Sequence, residues 1–156
     1  MKICFLLIGK TIEDYLKLGI SIYEKRLKNY LSFDIKTLPE LKKTAGLSFE
    51  QQKTMEGKVI LGSILPSDFV ILLDEGGKEF TSTEFAFFLQ KHMLQSTKSM
   101  IFVVGGPYGF SKEMYDRANE KISLSRMTYS HQMVRLIFTE QLYRAMTILK
   151  NEPYHH

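Results

Sequence analysis

The segment Ile101-Phe-Val-Val-Gly-Gly-Pro-Tyr-Gly109 joins an apolar run to three glycines within five residues. The apolar run predicts a buried strand, and Gly105-Gly106 lets the backbone approach a neighbour closely because no Cβ intervenes. Pro107 stiffens the loop, and Ser111 is typical of a helix N-cap. Ligands of open α/β sheets bind just beyond the carboxyl ends of strands, so this loop is the first candidate for a binding site. A glycine-rich turn after a strand also occurs for structural reasons alone.

Strand and helix patterns alternate on either side of this segment. Apolar runs predict strands over residues 3–8, 33–38, 69–73, 101–104 and 122–124. Helical spacing of apolar residues predicts helices over residues 11–30, 48–65, 81–95, 111–119 and 131–150, with Thr11 as the expected cap of the first. This alternation predicts an α/β fold with a mostly parallel sheet. The chain of 156 residues has no repeat or linker-like break, so we expect a single domain over residues 1–156.

The composition, with 44% hydrophobic and 24% charged residues, is that of a globular protein and excludes a disordered chain. The single cysteine, Cys4, excludes an internal disulfide and favours a reducing compartment. Gly9-Lys10 interrupts the N-terminal apolar run too early for a signal peptide or a membrane span, so we expect a soluble, cytoplasmic protein. The net charge of +4 is compatible with nucleic-acid binding. Residues 121–150 carry five basic side chains and one acid, which form either a phosphate-binding surface or a solvated helix face.

Three polar or glycine-rich segments follow predicted strands, namely Asp74-Glu-Gly-Gly77, Gly105-Gly106 and residues 125–130. The carboxyl ends of parallel strands meet at one edge of a sheet, so these segments predict a nucleoside pocket lined by backbone groups. The first strand ends in Ile8-Gly-Lys-Thr11, which lacks the dinucleotide-binding glycine spacing, and no P-loop or Gly-x-Ser-x-Gly motif occurs. No set of His, Cys and carboxylates has metal-ligand spacing, so no metal is expected.

Several motifs taken together are more specific than any one of them. They are Leu72-Leu-Asp74 with Gly77-Lys78, Val104-Gly-Gly-Pro-Tyr-Gly109, Leu124-Ser125, and a C-terminal block of His131, Val134-Arg135, Glu140-Gln-Leu-Tyr-Arg-Ala145, Ile148, Asn151 and Pro153-Tyr-His155. With these motifs the chain resembles the SPOUT class of RNA methyltransferases. Within that class it resembles the large-subunit methyltransferase H family, which methylates N3 of a pseudouridine in large-subunit ribosomal RNA. The resemblance runs the full length and is strongest from Phe69 onward. It departs at Asp74-Glu-Gly76, where a more apolar loop is expected, and at the terminal His156.

This resemblance implies a fold, a cofactor and an assembly. The fold would be an α/β sheet with a C-terminal trefoil knot, a rare exception to unknotted topology. The enzyme would be a homodimer that binds S-adenosylmethionine in the knot loops, with the C-terminal helix packed on the partner subunit. The cofactor-binding residues would be Leu73, Gly105, Leu124, Ser125, Arg126, Met127, Thr128 and Tyr129. The substrate would be large-subunit ribosomal RNA within a large subunit or an assembled ribosome, because the chain has no separate RNA-binding domain.

Methyl transfer to a ring nitrogen indicates the catalytic candidates. The transfer is an in-line displacement that depends on positioning, and the N–H nucleophile must lose its proton to a base or be stabilised as an anion by a cation. His131, Glu140 and His155 are the candidate bases, and Arg135 and Arg144 are their candidate electrostatic partners. Tyr154 is a candidate for stacking on, or hydrogen bonding to, a base.

Each of these predictions has a structural alternative. Glu140 and Arg144 have the spacing of an ordinary intrahelical ion pair, His131 is also suited to capping the last helix, and the tail that carries Tyr154 is open to disorder. The predicted helix over residues 131–150 is apolar on more than one face, as in a dimer interface or in a central core helix of a monomer. A non-catalytic RNA-binding module and a different nucleotide-using α/β enzyme remain alternative functions.

Overall fold

Five parallel strands form one sheet in the computed structural model, which describes residues 1–156. The strands are β1 (Lys2–Ile8), β2 (Ser32–Leu38), β3 (Phe69–Glu79), β4 (Ser99–Val104) and β5 (Glu120–Ser123). The helices are α1 (Asp14–Leu27), α2 (Phe49–Leu61), α3 (Ser82–Leu94), α4 (Lys112–Arg117) and α5 (Met133–Leu149). The strand order is β2-β1-β4-β3-β5, with every neighbouring pair parallel, which confirms the predicted α/β sheet. The threading of the predicted trefoil knot stays a prediction.

Both faces of the sheet are buried, as expected when crossover helices cover a parallel sheet. Along β1, Ile3 and Phe5 belong to one core cluster, whereas Leu6 and Ile8 belong to the other. Successive side chains of a strand point to opposite faces, so a continuous apolar run serves two cores. The first cluster contains the buried apolar side chains of α3 and α5, and the second contains those of α2 and α4.

Helix α5 is the central helix of one face. It packs against both α1 and α3, and the Phe138 ring lies 4.5 Å from the Phe5 ring and 4.7 Å from the Phe102 ring, measured between centroids. One apolar face of α5 is therefore used inside this chain, as in the core-helix alternative. Met133, Leu136 and Ile137 of the same helix are only partly buried, so the dimer alternative stays a prediction.

Two predictions about local structure are wrong. The first helix begins at Asp14, and its N-cap is Glu13, whose side chain makes no capping hydrogen bond. The predicted cap, Thr11, instead accepts a hydrogen bond from α5. The third strand does not end at residue 73 but continues to Glu79 through a register shift between residues 73 and 78. A Cβ on Gly77 would lie 2.5 Å from the Ile122 backbone nitrogen, so this strand extension requires glycine.

Helix N-termini follow the local sequence more closely. Ser111 accepts a hydrogen bond from the Met114 amide at 3.4 Å, which confirms it as the cap of α4. Ser48 and Thr81 form complete capping boxes at the starts of α2 and α3. These caps set the direction in which each helix leaves the sheet edge and so shape the loops that follow the strands.

Candidate active site

A cavity of about 620 Å³ lies at the carboxyl edge of β3, β4 and β5. Its walls come from the ends of β3 and β4, the glycine loop over residues 105–109, and the segment over residues 122–131 that leads towards α5. Leu73, Val104 and Leu124 supply apolar surface, while Asp74 and His131 supply a carboxylate and an imidazole. The three segments that the sequence marked as strand-end loops therefore meet at one site.

Seven of the eight predicted cofactor-binding residues line this cavity. They are Leu73, Gly105, Leu124, Ser125, Met127, Thr128 and Tyr129. Arg126 does not line it, because its side chain is 88% exposed and its Nε donates to Glu79 Oε1 at 3.0 Å. An exposed ion pair of this kind adds little stability.

The glycine loop is held tightly against helix α2. The Gly109 amide donates to the Gly106 carbonyl at 3.2 Å, which closes the turn over the cavity. A Cβ on Gly106 would lie 2.4 Å from Oε2 of Glu56, a residue that is only 5% exposed. Glycine at this position therefore allows α2 to support the loop from behind.

Asp74 and Glu75 carry negative charge at the cavity wall, and hydrogen bonds fix the carboxylate of Asp74. Its Oδ1 accepts a hydrogen bond from the Gly76 amide at 2.8 Å, and its Oδ2 accepts one from the Tyr115 hydroxyl at 2.6 Å. Burial, and then this hydrogen bond, raise the pKa of Tyr115 to about 12, so the phenol remains a neutral donor that fixes the carboxylate. The sequence marked Asp74 only as part of a strand end, and no sequence signal identified Tyr115.

A second polar cluster combines three of the predicted catalytic residues. Arg144 donates to Glu140 Oε1 through Nε at 3.0 Å and Nη2 at 2.7 Å, and the Tyr154 hydroxyl donates to the same oxygen at 3.1 Å. The Arg144 guanidinium lies over the Tyr154 ring, 4.7 Å from its centroid. Burial, the Tyr23 hydroxyl and the Glu140 charge together raise the pKa of Tyr154. This cluster does not line the cavity of its own chain.

Arg135, predicted as an electrostatic partner of the catalytic base, does not line the cavity. Its side chain is 1% exposed, and its guanidinium donates to the carbonyls of Ile8 at 2.8 Å and Gly9 at 2.9 Å. It also donates to Thr11 Oγ1 and to the His131 carbonyl, each at 3.2 Å. Burial lowers the pKa of Arg135, and the charge of Glu40 acts in the opposite direction. These contacts join α5 to the end of β1 and favour a structural role.

His155 lies at the exposed end of the chain and makes no hydrogen bond to the cluster around Glu140. Tyr154, one residue earlier, is partly buried and bonded. Tyr154 therefore contacts the body of the fold, whereas His155 does not.

The family assignment follows from comparison with known proteins. The family model described as "Predicted SPOUT methyltransferase" matches residues 1–155, which defines the chain as a SPOUT methyltransferase. A protein of Phocaeicola vulgatus called Ribosomal RNA large subunit methyltransferase H is 56% identical over 156 residues, 100% of this chain and 99% of that protein. The protein of the same name from Christiangramia forsetii is 58% identical with the same coverage. The chain therefore belongs to the ribosomal RNA large subunit methyltransferase H family.

A solved structure supports the fold independently. A methylase-family protein of Haemophilus influenzae superimposes with a TM-score of 0.52 at 14% identity, over 96% of this chain and 66% of that chain. At this identity the likeness concerns the fold alone.

The helices of this chain do not combine the length and the apolar character that a membrane-spanning helix needs.

Proposed function

We propose that this protein transfers a methyl group from S-adenosylmethionine to N3 of a pseudouridine in large-subunit ribosomal RNA. It acts as a homodimer on large subunits or assembled ribosomes, and this substrate implies a cytoplasmic location. The observation that carries the proposal is the cavity formed by three strand-end segments, in a chain whose full-length relatives are called ribosomal RNA large subunit methyltransferases.

The cavity fits S-adenosylmethionine in size and chemistry. Its volume of about 620 Å³ is that of an ordinary small-molecule site. Leu73 and Leu124 provide apolar contacts for a purine ring, Gly105 allows close approach of the backbone, and the Asp74 carboxylate complements a cationic ligand. Ser125, Met127, Thr128 and Tyr129 complete the wall. When bound, the cofactor supplies an electrophilic methyl group on a sulfonium.

The cluster of Glu140, Arg144 and Tyr154 serves to position and stabilise the acceptor ring. Both Glu140 oxygens are occupied, Oε1 by Arg144 and Tyr154 and Oε2 by Gln141 at 2.8 Å, so Glu140 acts as a hydrogen-bond acceptor that orients its partners. The proton of the acceptor nitrogen then goes to an imidazole. His131 lies on the cavity wall and His155 lies at the exposed end of the tail.

A second copy of the chain would complete the site. The cluster of Glu140, Arg144 and Tyr154 lies outside the cavity of its own chain, so it is free to face the cavity of a partner. Helix α1 and the residues before it also leave an apolar stripe uncovered. Its four side chains are 41–64% exposed and comprise Ile12, Tyr15, Leu18 and Ile22. An exposed apolar stripe of this kind favours association with a like surface.

The decisive test is transfer of labelled methyl groups to ribosomes and large subunits from cells that lack this protein, followed by mass spectrometry of the RNA. We expect label on one large-subunit pseudouridine. Arg144→Met and His155→Ala should lose the label, while His156→Ala, which changes the neighbouring tail histidine, should retain it. Comparing His131→Ala with His155→Ala identifies the base. A protein that binds RNA but shows neither transfer nor cofactor binding in calorimetry would refute the proposal.

A further inference from the structure

We infer that Tyr23, in α1, and Tyr30, in the turn that follows α1, are positioning residues that hold the C-terminal tail, residues 150–156, in the place from which it acts. The inference rests on the proposed catalytic role of Tyr154 and His155. Tyr23 contacts Tyr154, which lies 131 residues further along the chain, and Tyr30 contacts Glu152, which lies 122 residues further along. No local sequence pattern therefore links α1 to the tail.

The first anchor fixes the start of the tail. The chain leaves α5 through Asn151, whose φ of 53° reverses its direction, and the Glu152 amide donates to the Thr147 carbonyl at 3.0 Å. The Tyr30 hydroxyl then donates to the Glu152 carboxylate. A hydrogen bond to a charged acceptor is stronger than one between neutral groups, so this contact is the stronger anchor.

The second anchor fixes Tyr154 itself. Its hydroxyl lies 3.2 Å from the Tyr23 hydroxyl and donates to Glu140 Oε1 at 3.1 Å. Because the Tyr154 proton is committed to Glu140, Tyr23 is the donor in the bond between the two phenols. The rings of Tyr154 and Tyr143 pack in a T-shaped arrangement, with their centroids 4.8 Å apart. Tyr154 is thus held from three sides by α1 and α5.

These two anchors determine where the exposed residues after Tyr154 emerge. His155 follows directly, so its backbone position depends on the Tyr154 contacts and not on any bond of its own. Loss of the anchors would leave the imidazole on a freely moving tail. A fixed tail gives the His155 imidazole a high effective concentration at the reacting group. Loss of that positioning would lower turnover without altering the cofactor cavity.

The test compares Tyr23→Phe, Tyr30→Phe and the double variant with Ser21→Ala, which removes an α1 hydroxyl bonded only to the Leu18 carbonyl of its own helix. Amide hydrogen exchange by NMR reports tail docking through the bonded amides of Glu152 and Tyr154. We expect exchange of these amides to accelerate about fivefold for Tyr23→Phe and about tenfold or more for Tyr30→Phe. The factors should multiply in the double variant. Core amides of α5 should be unchanged.

Kinetics distinguish positioning from a merely structural role. The docked fraction of the tail sets kcat, so we expect kcat for ribosome methylation to fall most in the double variant, with KM for S-adenosylmethionine unchanged. Unchanged exchange or unchanged kcat in the double variant would overturn the inference. An inactive wild type with a protected tail would instead refute the proposed function, and with it the catalytic part of the inference, while the anchoring itself would stand.

Discussion

The Arg135→Met variant tests whether the Arg135 guanidinium stabilises the fold or takes part in catalysis. Methionine keeps the length of the buried stem and removes the guanidinium that donates to the carbonyls of Ile8 and Gly9. Each buried carbonyl left without a partner costs about 1–3 kcal/mol. Removal of a buried cation offsets part of that loss. We therefore expect the free energy of unfolding to fall by about 2–4 kcal/mol, which lowers Tm by about 5–15 °C for a domain of this size.

Circular dichroism melting and urea unfolding measure this change, and Arg144→Met is the matched control. Arg144 is 25% exposed and paired within its own helix with Glu140, which keeps its bonds to Gln141 and Tyr154, so its loss should cost about 1–2 kcal/mol. Arg144→Met should abolish methyl transfer with a smaller fall in Tm than that of Arg135→Met. Wild-type Tm together with lost methyl transfer in Arg135→Met would refute the structural role and restore the catalytic one.

Three further predictions concern other parts of the molecule. Gly106→Ala should weaken S-adenosylmethionine binding by about tenfold or more in calorimetry, because its Cβ would meet Glu56 Oε2 at 2.4 Å. The control is Gly62→Ala, where the atom nearest to the new Cβ is 3.4 Å away, and this variant should bind the cofactor normally. Leu18→Glu, at a position 63% exposed, should give a stable monomer in light scattering, and a persistent dimer would exclude the α1 stripe as the interface. The pKa of Tyr115 is raised to about 12, so its bond to Asp74 stabilises the fold fully below about pH 10 and is lost as the pH rises towards 12. The difference in urea midpoint between wild type and Tyr115→Phe should shrink over that interval, and a constant difference would contradict the assignment.

Local sequence patterns predicted the strands and the cavity. Short apolar runs bounded by glycine or polar residues specify buried strands, and Ser111 and Thr81 begin helices because their hydroxyls satisfy amides three residues on. Gly105-Gly106 marked the cavity because strand ends of a parallel sheet share an edge. The extension of β3 was missed, since Gly77 is required by the approach of the Ile122 backbone, which lies far along the chain.

The amino-acid sequence by itself determined the α/β class, the family and most of the cavity wall, because these depend on periodicity, caps and glycines acting over a few residues. Only the tertiary structure decided the roles of individual polar side chains. Arg135 and Arg144 lie on one helix, yet the first is buried on β1 carbonyls and the second is paired with Glu140. Likewise the hydroxyl of Tyr23 finds its hydrogen-bond partner in Tyr154, 131 residues away. Burial and hydrogen bonding depend on which elements pack together, and that packing is set by the whole chain.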